Sequence, residues 1–68
     1  MGSQAQLGKN IKKAREKAGL TQEQVAEKAG IHVSYVSRIE RGKVNPSYDI
    51  LENLAKVLKV KSSDFLPF

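Results

Sequence analysis

Val33, Ser34, Ser37, Arg38 and Arg41 share one face of a short stretch whose opposite face carries Val36 and Ile39. Hydroxyls, guanidinium groups and a small branched aliphatic surface match what base-pair edges present in a groove: donors, acceptors and a methyl contact. Cationic side chains gather nearby. Residues 9–17 hold Lys9, Lys12, Lys13, Arg15 and Lys17, opposed only by Glu16, while Arg38, Arg41 and Lys43 surround Glu40. The whole chain sets 12 Lys and Arg against 7 Asp and Glu, a net charge of +5. Such a surplus suits a polyanion, because each neutralised phosphate releases condensed counterions. Charge alone leaves a plainer alternative open, in which Lys9, Lys12 and Lys13 form a solvated helix face.

Other chemistries lack their groups. The chain has 0 Cys, so neither a disulfide nor a thiolate ligand exists, and the 1 His, His32, is too little for a structural zinc site. No carboxylates pair with reason to share a site and no nucleophile stands with a base, so no enzyme, metal or cofactor is expected. No run approaches the roughly 20 apolar residues of a membrane span. Basic residues interrupt the N-terminus before a signal-peptide core develops. The expectation is a cytoplasmic domain with no membrane partner. The chain has 68 residues, enough for one domain, and its 40% hydrophobic and 28% charged content reads as globular. A core of this size yields only about 3–5 kcal/mol, so helix packing or a partner subunit must hold it together.

Helices are the elements available to position these groups. Leu7, Ile11, Ala14 and Ala18 form a stripe at helical spacing that stops at Gly19. Thr21 and Gln24 make a capping-box pattern ahead of a short helix that buries Val25, Ala26 and Ala29 and ends at Gly30. A third helix runs from around His32–Ser34 to Arg41, closed by Gly42, and Lys43-Val44-Asn45-Pro46 follows as a loop. Ser47 caps a fourth helix with Ile50, Leu51, Leu54, Ala55 and Leu58 on its apolar side, and Ser62 or Ser63 starts a last short turn bearing Phe65 and Leu66. The reading is all-α, a compact arrangement of five short helices. One domain spans residues 4–68, and Met1-Gly2-Ser3 reads as a cloning remnant. Residues 21–29 and 32–41, joined at Gly30, have the layout of a helix-turn-helix, whose second helix enters the major groove of DNA.

Leu20-Thr21-Gln22-Glu23-Gln24-Val25-Ala26-Glu27-Lys28-Ala29-Gly30 resembles the first half of the helix-turn-helix in the Xre family, the group of phage lambda repressor and Cro. Ser34-Tyr35-Val36-Ser37-Arg38-Ile39-Glu40-Arg41-Gly42-Lys43 is similar to its recognition helix, and Asn45-Pro46-Ser47 with Leu51, Leu54 and Ala55 to its fourth helix. The likeness covers roughly residues 7 to 66. It implies a lambda-repressor-like fold with the helix-turn-helix proper at 21–41. It also implies base reading by Val33, Ser34, Ser37 and Arg38, with Arg38 as the bidentate reader of guanine. Gln22, His32, Tyr35, Arg41, Lys43 and Asn45 would grip the DNA backbone, and Arg15 would pair with Glu40 to orient the recognition helix.

Each role has a plainer alternative. Val33 reads also as core and Tyr35 as packing beside the turn. Arg41 and Lys43 read also as solvated charges, Ser37 as solvent-facing and Gln22 as an ordinary first-turn residue. His32 stands where a Ser or Thr cap is usual. It is either a weak cap or surface residue, or a phosphate contact that strengthens when the ring protonates below about pH 6.5.

The expected function is that of a sequence-specific regulator of bacterial or phage origin, a dimeric repressor that binds double-stranded DNA. Phe65, Leu66 and Phe68 are candidates for the dimer contact, with core filling the alternative for the first two. A regulatory protein partner fits the same reading. The competing class is a protein-interaction or antitoxin-like adaptor module on the same fold.

Overall fold

The structure, a computed structural model, describes residues 3–66. Helix α1 spans Ser3–Lys17, α2 Gln22–Ala29, α3 Val33–Glu40 and α4 Tyr48–Leu58, and a single 3-10 turn covers Ser62–Phe65. There are thus four α-helices among the described residues where five short helices were expected. The fifth segment has only 4 residues, too few for an α-helical ladder, and takes the tighter i to i+3 bonding instead. Its Asp64 amide donates to the Lys61 carbonyl at 2.9 Å. Among the described residues there is no strand.

Local chemistry sets the boundaries. The Thr21 hydroxyl accepts from the Gln24 amide at 3.0 Å while Gln24 Oε1 accepts from the Thr21 amide at 2.8 Å, completing the capping box of α2. Ser47 caps α4 by accepting from the Ile50 amide at 3.3 Å. The C-terminal stop of α4 is Lys59, with φ of 59°, in the left-handed region that usually falls to glycine.

The core joins Leu7 and Ile11 of α1, Val25, Ala26 and Ala29 of α2, Val36 and Ile39 of α3, and Leu54, Ala55 and Leu58 of α4. Phe65 closes it from the 3-10 turn. Ala18, expected on the buried stripe, is exposed, because α1 ends at Lys17 and the chain turns away. Polar side chains tie the elements at their ends. Asn53 Nδ2 of α4 donates to the last carbonyl of α2, Ala29, at 2.6 Å, and Asn10 Nδ2 of α1 to the Phe65 carbonyl at 2.9 Å.

Helix α1 crosses the C-terminal end of α3 at backbone contact. A Cβ built on Gly8 would meet the carbonyl oxygens of Ile39 and Glu40, the latter at 2.7 Å. Just beyond, Gly42 has φ of 72° and would press a Cβ to within 2.8 Å of the Ala5 Cα. Gln4 Nε2 donates to the Gly42 carbonyl at 3.3 Å from the same side. No helix among the described residues is long and apolar enough to cross a membrane.

Candidate nucleic-acid interface

Val36 and Ile39 seat α3 in the core, and Glu40 locks its last turn. The Glu40 side chain is 2% exposed and takes a two-point pair from Arg15, Nε to Oε2 at 2.7 Å and Nη2 to Oε1 at 3.2 Å. Gln22 Nε2 adds a third bond to Oε1 at 2.9 Å, and Arg15 Nη1 reaches the Leu20 carbonyl at 2.8 Å. One carboxylate therefore gathers α1, α2 and α3. Hydrogen bonding to Glu40 pushes the Arg15 guanidinium above its ordinary pKa, against a smaller downward pull from burial. No buried side-chain nitrogen or oxygen among the described residues lacks a partner. A buried pair this well satisfied orients helices, whereas removing one partner strands a charge.

Held in this way, α3 turns Ser34, Ser37, Arg38 and Arg41 outward at i, i+3, i+4 and i+7, one stripe of the helix. Ser34, Arg38 and Arg41 are exposed and Ser37 is half-buried. The Arg41 Nε donates to the Ser37 carbonyl at 3.4 Å, its own helix being its only recorded partner among the described residues. The one ion pair among those residues is Arg15–Glu40, so Arg38 and Arg41 enter none. Lys43 and Asn45 extend the exposed polar surface into the following loop.

The remaining candidates sit differently. Val33 and Tyr35 are half-buried and pack against the core from the two flanks of that stripe. Gln22 is half-buried, with one amide proton committed to Glu40. His32 is the N-cap of α3: its Nδ1 accepts from the Ser34 amide at 3.2 Å and lies 2.8 Å from the Ser34 hydroxyl. Phe65, expected at a dimer contact, is 1% exposed and fills the core, which corrects that assignment. Leu66 is 39% exposed. Phe68 lies outside the described residues.

The Arg15–Glu40 pair is the one the family resemblance implied, but that Gln22 completes it was not foreseen, since a first-turn glutamine carries no mark of its partner. Gly8 was missed as well, since its role shows only in the helix crossing. An open depression of about 470 Å³ between the ends of α1 and α4 is lined by Ala14, Lys17, Ala18, Leu58, Val60 and Asp64, none of them on α3. Among the described residues no group of three His, Cys, Asp or Glu is placed to hold a metal ion.

Two short helices at a tight turn, the second fixed by its inner face and bare along its outer stripe, define a helix-turn-helix domain. Residues 11–65 match the family described as Helix-turn-helix, HTH_3, and the chain belongs to it, within the Xre and lambda-repressor-like group. Control protein C.BamHI of Bacillus amyloliquefaciens is 37% identical over 63 residues, covering 91% of this chain and 78% of that protein. The restriction-modification controller protein C.AhdI of Aeromonas hydrophila superposes with a TM-score of 0.93 at 29% identity, over 97% of this chain and 100% of that one. The biofilm master regulator SinR, solved in complex with DNA, superposes with a TM-score of 0.82 at 40% identity, over 87% of this chain and 95% of that one. Other curated relatives are longer proteins, of which this chain spans 39% to 40%.

Proposed function

We propose that this chain is a sequence-specific, double-stranded DNA-binding transcriptional regulator that acts as a homodimeric repressor on a two-fold symmetric site. The observation that carries the reading is the outer stripe of α3, where Ser34, Arg38 and Arg41 stand exposed and outside any ion pair. A cationic stripe that enters no ion pair, on a helix held in the core by its opposite face, suits a major groove. The relatives named as controllers and the SinR–DNA complex support it.

In this reading Val33, Ser34, Ser37 and Arg38 face base edges, with Arg38 bidentate on guanine. Gln22, through its second amide proton, and His32, through Nε2, grip phosphates together with Tyr35, Arg41, Lys43 and Asn45. Residues 4–68 act as one domain, Leu66 contributes to the contact between subunits, and a regulatory protein completes the control. The domain works in the cytoplasm of a bacterium. It performs no catalysis, for its one well-buried carboxylate, Glu40, is saturated by Arg15 and Gln22.

Selection from randomised duplexes tests this. Enrichment of a two-fold symmetric site is expected, lost at one base position per half-site in Arg38→Ala. Removing a phosphate contact, as in Lys43→Ala, is expected to weaken all sites alike and to reduce the slope of log K against log salt by about 0.9. Retention of no duplex would overturn the reading in favour of a protein-binding module. Salt-sensitive retention of every duplex alike would reduce it to backbone binding.

A further inference from the structure

At the cap of α3 one acceptor, His32 Nδ1, is shared by two groups of Ser34. His32 Nδ1 lies 3.2 Å from the Ser34 amide and 2.8 Å from the Ser34 hydroxyl oxygen. The backbone N–H can only donate, so Nδ1 accepts, which makes the ring neutral with its proton on Nε2. With Nδ1 an acceptor, the hydroxyl at 2.8 Å must be a donor as well, and it spends its single proton on the ring. Ser34 is exposed on the stripe with Arg38 and Arg41, so what it turns outward is lone pairs only.

We infer that His32 is a specificity-determining residue that sets the hydrogen-bonding direction of Ser34. A neutral ring holds Ser34 as an acceptor toward base edges, and a protonated ring reverses it. In the protonated ring Nδ1–H donates to Ser34 Oγ, the freed hydroxyl proton turns outward, and the Ser34 amide gives up its acceptor on the ring. The inference rests on the DNA-binding reading above. As an acceptor Ser34 suits the amino group of cytosine or adenine. As a donor it suits O6 or N7 of guanine, or O4 of thymine. Adenine shows both a donor and an acceptor in the major groove, so cytosine against guanine or thymine is the informative contrast.

The ionisable groups of the three longer elements about this turn are Glu23, Glu27 and Lys28 of α2, Tyr35, Arg38 and Glu40 of α3, and Tyr48, Asp49, Glu52 and Lys56 of α4, and none forms an ion pair with the ring. A positive charge at a helix N-terminus is disfavoured by the helix dipole, while a nearby phosphate favours it. Both effects change affinity for every sequence alike. Only the Ser34 reversal changes which base is preferred at one position.

The test is duplex selection with the whole chain at about pH 8 and about pH 5.5, either side of the range in which imidazoles titrate. Wild type, His32→Asn and Ser34→Ala are compared. Asparagine is a strong N-cap whose carbonyl accepts from Ser34 and does not titrate in this range. The wild type is expected to move from cytosine toward guanine or thymine at one position as pH falls, by about two- to tenfold, the worth of one neutral hydrogen bond. His32→Asn should keep the high-pH preference at both values, and Ser34→Ala should show none at that position. A symmetric site whose base preferences are the same at both pH values in the wild type overturns the inference and leaves DNA reading intact. A pH-dependent preference that persists in His32→Asn also overturns it. Failure to enrich any site at either pH overturns the DNA-binding reading itself.

Discussion

Replacing Gly8 by Ala sets two physical effects against each other, and they predict opposite signs. Gly8 lies inside α1, where alanine is favoured over glycine by about 1 kcal/mol in helix propensity. The added Cβ, however, would stand 2.7 Å from the Glu40 carbonyl oxygen and 2.9 Å from the Glu40 carbonyl carbon, with the Ile39 carbonyl oxygen also in its way. Ordinary carbon–oxygen contacts begin at about 3.3 Å, so α1 and α3 must separate by at least about 0.6 Å. The obstructing atoms are backbone in a seated helix and cannot rotate aside. Overpacking of this kind costs about 1–3 kcal/mol. Two backbone obstructions put the cost at the upper end, and subtracting the propensity gain leaves a net loss of about 2 kcal/mol. For a domain of this size that lowers Tm by about 8–16 °C. Urea and thermal unfolding of both proteins, monitored by helix circular dichroism, measure it. A Gly8→Ala protein as stable as the parent, or more stable, would refute the claim that the crossing of α1 on α3 is in backbone contact.

Three further outcomes follow from the same geometry. Glu40→Ala should cost about 3–5 kcal/mol because it leaves Arg15 buried without its partner, and a double-mutant cycle with Arg15→Ala should show strong coupling in urea unfolding. Lys59→Gly should stabilise the domain by about 1 kcal/mol, since it relieves a left-handed conformation that costs an L-residue roughly that much; a loss of stability on thermal unfolding would contradict it. The Glu52 carboxyl is held below its ordinary 4.5 by hydrogen bonds first from Tyr48 and then from Ser62, whose hydroxyl donates at 2.8 Å. A depressed folded pKa stabilises above the unfolded value and is lost as pH falls through the folded one, so this contribution begins to fall below about pH 4.5 and is gone once the pH is below the folded value. Proton NMR titration of Tyr48→Phe and Ser62→Ala should show Glu52 moving upward in each.

What was legible in the sequence was what is local. The Thr21–Gln24 box, the Ser47 cap and the apolar stripes of α2 and α4 are encoded within three or four residues, and the structure has them. The stripe of Ser34, Ser37, Arg38 and Arg41 was legible for the same reason, since periodicity alone puts those residues on one face. What failed was what depends on distant atoms. Gly8 looks like a weak point in a helix until the carbonyls of residues 39 and 40 are seen against it. Lys59 ends α4 with no glycine to announce it. Phe65 stood undecided between a subunit contact and the core because nothing in a four-residue tail says that Asn10, 55 positions earlier, will tie its carbonyl to α1. Ala18 fits the periodicity of α1 but falls one residue past its end, where period no longer governs.

The crossing at Gly8, the Glu40 pair and the Gln4 bond to Gly42 all grip α3 at its C-terminal end. The side chains along its outer stripe hold nothing in place, apart from the Ser34 share in the cap. On the proposed reading, folding energy and DNA-reading chemistry thus fall on different residues of one eight-residue helix. If Ser37 and Arg38 read bases as proposed, a change at either alters what is recognised at little cost to stability, whereas a change at Glu40 touches stability first. In evolutionary terms, the scaffold is rigid where it must be and free to drift where new targets are found. One fold can then supply many specificities through substitutions that selection for stability scarcely sees.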